Sequence, residues 1–495
     1  MSHVLGLDIS TTATKAVLVD DGGAVIAVGS SSYDYVIPRP TWSEQDPQLW
    51  WDATIEAIRA VLTETGVEPG DIAAIGLTGQ MHGSVLLDRD DDVVRPALLW
   101  NDQRTAEECD QIREMIGRER LIATTGNDAL TGLTSPKLLW VRNNEPENWD
   151  RVSTVLLPKD YVRFRLTGSH ALDVAGGSGT GLFDLAERTW SLDILDALSL
   201  SHTLFPPTFE GPEVTGSVTD GAAGATGLLA GTPVVAGGGD QSANAVGVGA
   251  VAGGMLALSL GTSGVVFAAS DRPNIEPEAR VQAFCHAVPG RWHMMGVMLS
   301  AAGSLRWLRD ALSPGTAFDV LVDGAAEVAA GADGLIFLPY LSGERTPYPD
   351  PKARGAFVGL TTSHDLRHMT RAVLEGVAFG LRDGLDLMVG AGVARPESIR
   401  ASGGGTRSEL WCQILADTLE ARIDTPLTEE GAAYGAGLLA AVAAGHYPSV
   451  DAAADALIEV SPRAEPGPDA AVYREIHPRF QGLYPALRPT FHATD

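Results

Sequence analysis

Two stretches, one at the start of the chain and one just past its middle, share an unusual layout. Residues 4–20 read VLGLDISTTATKAVLVD, and residues 256–270 read LALSLGTSGVVFAAS. Each is an apolar run, a loop of small and hydroxyl-bearing residues, then a second apolar run. Short β-branched runs joined by such loops predict antiparallel hairpins. The likeness between the two is weak residue by residue, but its form predicts two related lobes.

The surroundings support that division. After the first hairpin comes the turn Asp21-Gly22-Gly23 and a third strand, AVIAVGSSSY. A helix should start at Asp46-Pro47, with Asp as its cap and Pro in its first turn. DIAAIGLTG then reads as a short buried strand, with QMHG just past its end. Strands alternating with helices imply an α/β layer. GTPVVAGGG (231–239) is a strand running into a glycine loop, followed by a helix, QSANAVGVGAVAG. This places the division near residues 245–253, giving an N-terminal lobe over 1–248 and a C-terminal lobe over 249–446. In the second lobe a long helix is expected around 364–389. The Ala- and Gly-rich helix near 431–445 should pack closely against a sheet. The tail over 447–495, richer in proline and charge, is expected to pack on the surface.

Charge narrows the choice of partner. The 35 Lys and Arg against 63 Asp and Glu leave a net charge of −28. Nucleic acid and anionic membranes both favour a basic face, so neither is an expected partner. An anionic substrate must be held locally, by backbone N–H groups, a few cations or a metal ion. The start, MSHVLGLDIS, lacks the basic segment of a secretory signal, and no apolar run reaches membrane-spanning length. A cytoplasmic protein is the expectation. Cys109, Cys285 and Cys412 lack metal-ligand spacing and read as buried, reduced thiols.

Four small-residue loops follow predicted strands: Asp8-Ile9-Ser10-Thr11-Thr12, Gly237-Gly238-Gly239-Asp240, Gly261-Thr262-Ser263-Gly264 and Gly403-Gly404-Gly405-Thr406-Arg407. Glycine allows close backbone approach, and exposed N–H groups can cradle phosphate. In open α/β sheets, ligands gather at the carboxyl ends of strands. Phosphoryl transfer needs a phosphate cradle, a divalent ion and a carboxylate to take the acceptor's proton. Asp8 ends a strand and can reach a metal. Asp240, between three glycines and a helix, reads by its spacing first as a helix cap. Lys15 reads equally as a solvated strand-end charge. Trp42, Trp50 and Trp51 read as packing. Glu344 and Arg345, in SGERTP, read as readily as a structural ion pair as a functional one.

The blocks GLDISTTATK, WSEQDPQLWW, GLTGQMHG, ALLWNDQR, TSPKLLWV, LLPKDYVRFRLTG, VVAGGGDQSANAVGVG, LSLGTSGVVF, FLPYLSGERTP, RAVLEGVAFGLRDG and SGGGTRSELWCQILAD together resemble the FGGY carbohydrate kinases. They run in family order along nearly the whole chain. The resemblance implies a two-lobed actin/hexokinase-like fold of the ribonuclease H-like kind, with a cleft between the lobes. It implies ATP, Mg²⁺ and transfer to a sugar hydroxyl. QMHG points within the family to the C5 hydroxyl of xylulose rather than to glycerol or gluconate. A kinase for another ketose or polyol, such as ribulose, is the alternative, and a non-enzymatic sugar sensor a remoter one. A homodimer is a family expectation.

The same resemblance assigns residues. Asp240 matches the catalytic base, and Asp8 the first-loop acid near metal and phosphates, both close to the metal. Met81 and His82 match the sugar-contacting pair, with Trp100, Asn101 and Asp102 in the next sugar-side loop and Gln241 beside the base. Ser10, Thr11, Thr12 and Lys15 belong to the first phosphate loop, and Gly261, Thr262 and Ser263 to the second. Gly403, Gly404, Gly405 and Arg407 match the adenosine side. Three departures stand out. Ser10 replaces a usual glycine, Gln241 replaces an asparagine, and DVAGGSGTGLFD around Ser178 replaces a more polar segment.

Overall fold

The computed structural model describes residues 2–428 and 430–493. Its first sheet begins as the hydrophobic pattern requires. Strands β1 (His3–Ile9), β2 (Ala13–Asp20) and β3 (Val25–Ser32) form an antiparallel meander. Strand β4 (Ile72–Gly79) lies parallel to β1 on the other side. β5 (Val214–Ser217) and β6 (Pro233–Val235) extend the sheet, and the short β7 (Gly238–Gly239) pairs with the end of β4. Helix α1 (Pro47–Thr65) starts where expected. Asp46 caps it by accepting from the Gln48 N–H at 2.9 Å, and Pro47 fills the first position. Its buried Trp50 and Trp51 join the core on the first sheet. Helix α2 (Asp240–Gly247) follows the glycine loop.

The second sheet repeats this plan. β8 (Leu256–Leu260), β9 (Gly264–Ser270) and β11 (Trp292–Met298) form an antiparallel meander, with β10 (Gln282–Cys285) on its edge. β12 (Ser398–Ser402) lies parallel to β8, β13 (Arg422–Pro426) parallel to β12, and β14 (Val460–Ala464) antiparallel to β13. Strand for strand, β3-β2-β1-β4-β6-β5 corresponds to β11-β9-β8-β12-β13-β14, with the same sense at each pairing. The two small-residue hairpins occupy equivalent places, one in each lobe.

Helix α3 (Leu366–Gly390) backs the second sheet, burying Val373, Val377, Leu381 and Leu385. α4 (Glu409–Leu419) starts on the Ser408 cap. α5 (Gly431–Ala443) is the close-packing helix expected from its small residues, but the sheet it covers is the first one. A Cβ on Gly6 would lie 2.0 Å from the Ala433 carbonyl oxygen, and one on Gly76 1.9 Å from that of Ala436. The tail is more than a surface cover. Its strand β14 closes an edge of the second sheet, and α6 (Asp469–Ala493) sinks Tyr473 and Phe480 into the core. Cys109, Cys285 and Cys412 are free and buried.

Candidate active site

Strand register brings the two key acids together. Asp8 of β1 pairs with Thr78 of β4, and Thr78 pairs with Gly238 of β7. Ile9, Gly79 and Gly239 form the next row, and Asp240 is the residue after it. The carboxyl ends of parallel strands therefore present Asp8 and Asp240 to one edge, where ligands bind in such sheets. Gly237 makes this possible. Its φ is +75°, and a Cβ there would meet the Leu77 carbonyl oxygen at 1.8 Å.

Asp240 is not the helix cap. Gly239 takes that position, and the Asp240 carboxylate accepts from its neighbour's N–H, on Gln241, at 2.7 Å. Burial pushes the Asp240 carboxyl up to about 7. The nearby Asp8 charge adds to this, and Gln241 pulls it partly back. A helix N-terminus favours an anion, but desolvation outweighs it here. Burial likewise pushes Asp8 up to about 6, with Lys15 lowering it and Glu430 raising it. Lys15 sits across the hairpin from Asp8 and is bound to Glu430 at 2.6 Å, so it is no free surface charge. One buried oxygen of Asp8, Oδ1, has no hydrogen-bond partner.

Met81 and His82 stand beside this edge. Met81 lies against Gly239, where a Cβ would come within 2.5 Å of its Cγ. His82 has a φ of +69°, rare for a residue with a side chain. Its carbonyl is held by Lys137 Nζ at 3.0 Å and Thr134 Oγ1 at 3.1 Å. Its Nδ1 lies 2.6 Å from the Gly179 carbonyl oxygen, which fixes the proton on Nδ1 and leaves Nε2 as an acceptor. Burial pushes the imidazole down to about 3, so it stays neutral. Ser178, in the departing segment, is fully buried and accepts from the Cys285 N–H at 2.9 Å. It ties the first lobe to the second sheet rather than lining a cleft.

The next loop divides its labour. Trp100 is 44% exposed and donates from Nε1 to Thr11 Oγ1 at 3.0 Å, covering the Ser10–Thr12 loop. Asn101 leaves a buried Oδ1 without a partner. Asp102 is already engaged within the protein. Its carboxylate is fully buried and occupied by the Ser43 N–H and Arg104, each at 2.7 Å. Arg104 also binds Glu44 and lies 3.6 Å from the Trp42 ring centre. Asp102 frames the loop that carries Trp100 and Asn101.

The two small-residue hairpin loops are equally well braced. Ser10 turns its hydroxyl onto the Ala13 carbonyl at 2.8 Å, and Thr12 is exposed. In the equivalent loop, the Gly261 and Thr262 carbonyls accept from Ala302 and Ala301, leaving Thr262 and Ser263 exposed. Gly403 has a φ of +94° and passes too close to Leu260 for any side chain. Beyond it lies a cavity of about 750 Å³, lined by Leu305, Phe318, Gly404, Gly405, Arg407 and Ser408. A second cavity of about 410 Å³ shares Gly404 and Arg407 and reaches Asn244 on α2. Asn244 lies one helical turn beyond Asp240, so this second cavity leads from the Gly403–Gly405 loop toward the acids.

Sequence reasoning missed Lys137 and the Lys15–Glu430 pair. Lys137 stood within the quoted block TSPKLLWV, which was the available signal. Glu344 and Arg345 do not form the ion pair their adjacency suggested. Glu344 Oε1 accepts from the Leu299 and Arg345 backbone N–H groups instead. Among the described residues, no cluster of three His, Cys, Asp or Glu side chains could hold a metal unaided. No described helix is long and apolar enough to cross a membrane.

Residues 3–247 match the N-terminal domain of the FGGY family of carbohydrate kinases, and residues 256–444 match its C-terminal domain. The chain is 43% identical over 493 residues to the xylulose kinase of Escherichia coli K12, covering 98% of this chain and 99% of that one. Its structure superposes on a xyloylose kinase from Brucella ovis with a TM-score of 0.92 at 40% identity, covering all of both chains. It also superposes on the xylulose kinase of Rhodospirillum rubrum, with a TM-score of 0.93 at 35% identity, covering 99% of this chain and 100% of that one.

Proposed function

The chain belongs to the FGGY family of carbohydrate kinases, and we propose that it transfers the γ-phosphoryl group of ATP to the C5 hydroxyl of D-xylulose. The observation that carries this is the row Asp8–Thr78–Gly238, which sets Asp240 beside Met81 and His82 at one strand edge. The relatives named xylulose kinase, matched over nearly their whole length, support the acceptor.

In this reading residues 1–248 carry the sugar and residues 249–446 the nucleotide, with 447–495 bracing the second lobe. Met81, the neutral His82, Trp100, Asn101 and Gln241 line the sugar. His82 accepts a sugar hydroxyl at Nε2. Asp240 is the base. Its carboxyl near 7 is matched to a hydroxyl acceptor at physiological pH, and such help contributes about 10²–10⁴-fold. Ser10, Thr11, Thr12 and Lys15 face the phosphates from one lobe, and Gly261, Thr262 and Ser263 from the other. Gly403, Gly404, Gly405 and Arg407 border the adenosine cavity. The unpartnered Asp8 Oδ1 fits a divalent cation such as Mg²⁺, with Asp240 nearby, and phosphate oxygens would complete its shell. Such an ion supplies charge neutralisation on the phosphates. Closure of the two lobes excludes water, which would otherwise compete as acceptor. Family membership is also the ground for expecting a cytoplasmic homodimer.

The test is ADP release with xylulose, ribulose, gluconate and glycerol at fixed ATP and Mg²⁺. Xylulose should give the highest kcat/KM by at least about tenfold, a discrimination of about 1.4 kcal/mol. Equal values for xylulose and ribulose would remove xylulose as the assigned acceptor.

A further inference from the structure

We propose that Arg345, carried by the C-terminal lobe, contacts the phosphoryl group during its passage from nucleotide to sugar. The proposal rests on the kinase reading above and adds a residue to it. The geometry begins with the anchoring of the loop. Thr346 donates from its N–H to the Val297 carbonyl at 3.1 Å and accepts at Oγ1 from the Val297 N–H at 3.2 Å. Glu344 accepts from the Leu299 N–H at 3.0 Å. Arg345 is thus fixed to the end of β11. In the register of the second sheet, Met298 of that strand end faces Gly264, the residue that closes the Gly261–Gly264 turn. Arg345 therefore stands beside the second phosphate loop. Its charge also reaches His82 of the opposite lobe, where it helps keep the imidazole neutral. It lies between the phosphate side and the sugar side.

Charge is the second argument. Three lysines of the first lobe are already engaged. Lys15 is bound to Glu430 at 2.6 Å. Lys137 is held by the carbonyls of His82, Gly132 and Leu133. Lys159 is held by Asp160 and, at 2.6 Å, by Asp173. Among the described residues the Arg345 guanidinium has no hydrogen-bond or ion-pair partner, although it is only partly accessible. Glu344 supplies no counter-charge, because burial pushes its carboxyl up to about 8. A desolvated cation without an acceptor is unfavourable unless a ligand provides one. Its planar fork of N–H donors suits phosphoryl oxygens, and the transferred group gathers negative charge that a cation stabilises. Asp8 and Asp240 already line the opposite side with carboxylates, so a cation here also offsets their repulsion of the phosphates.

Two variants and two ligands test this. Wild type, Arg345→Met and Arg345→Lys are compared in steady-state turnover with ATP, Mg²⁺ and xylulose. Binding of xylulose and of xylulose 5-phosphate is then measured separately by calorimetry. Arg345→Met should lower kcat by about 10²–10³-fold, the range for losing one transition-state donor. The KM for xylulose should stay within about threefold. Affinity for the sugar phosphate should fall by at least about tenfold while that for the free sugar is unchanged, a split that general loss of structure would not give. Arg345→Lys should recover part of both losses. Melting temperature should hold or rise, because an unpaired charge is removed. The proposal is overturned if sugar and sugar phosphate weaken equally, if the free sugar alone weakens, or if turnover is unchanged. If wild type itself prefers another sugar, the acceptor assignment fails separately. The same comparison then runs with that sugar and its phosphate ester.

Discussion

Replacing Asp240 by asparagine should make the protein more stable at pH 8 while removing most of its turnover. The carboxyl titrates near 3.8 when exposed and about 7 in the fold. It binds its proton more tightly folded than unfolded, so it favours folding at acid pH. That advantage is lost as pH climbs from about 4 through about 7, and above this the burial of an ionised carboxylate is a full penalty. At 1.36 kcal/mol per tenfold, the penalty at pH 8 is about 4 kcal/mol, against about 1.7 kcal/mol at pH 5. The amide of the Asp240→Asn variant would keep an acceptor for the Gln241 N–H and carry no charge. The variant's stability advantage over wild type should therefore grow by about 2–3 kcal/mol between pH 5 and pH 8. For a lobe of some 250 residues, each kcal/mol moves the melting temperature by about 2–4 °C. Thermal melts of both proteins at pH 5, 6.5 and 8 read this directly. Turnover, from ADP release at saturating substrates, should fall by about 10²–10⁴-fold. A melting difference that is the same at pH 5 and pH 8 would refute the burial argument. Turnover within tenfold of wild type would refute the base.

Further outcomes follow from the same geometry. In wild type, kcat/KM should decline below about pH 7, as Asp240 takes up its proton, and Asp8→Asn should move that acid limb lower by removing the neighbouring like charge. The Mg²⁺ concentration for half-maximal rate should rise in Asp8→Asn, and an unchanged Mg²⁺ titration would count against Asp8 as a metal contact. Gly435→Ala should cost several kcal/mol, because its Cβ would lie 1.9 Å from the Ala243 carbonyl oxygen and force α5 off α2. Gly404→Ala meets nothing within 4 Å, so thermal melts should show wild-type stability while the KM for ATP rises from the methyl group intruding on the cavity.

Local features were legible from the chain because their causes are local. The Asp46-Pro47 start of α1, the two small-residue hairpins and the small-residue make-up of α5 are all written in neighbouring residues. Where the sequence misled, the deciding contact came from far along the chain. The tail looked like surface because of its prolines and charges, yet β13 offered an open edge for β14 to pair with. Glu344 and Arg345 looked like an ion pair, yet Leu299 offered Glu344 a backbone donor and left the guanidinium unmatched. Asp102 carried the right chemistry for a sugar contact, but the distant Ser43 claims it together with the near neighbour Arg104.

Asp240 shows the same division most sharply. Its spacing after three glycines suggested a cap held ionised by a helix. The fold instead gives the cap to Gly239 and places the half-buried carboxyl beside Asp8, a residue more than two hundred positions away. Local helix electrostatics favour the anion by about 0.3–1 kcal/mol at an exposed terminus. The net upward shift, caused first by desolvation and then by the second carboxylate, opposes it by about 4 kcal/mol, at 1.36 kcal/mol per tenfold. Only the assembled sheet brings that burial and that second carboxylate to bear, and together they outweigh the helix. They turn a residue that would stay charged as a cap into one that can take and release a proton near neutral pH.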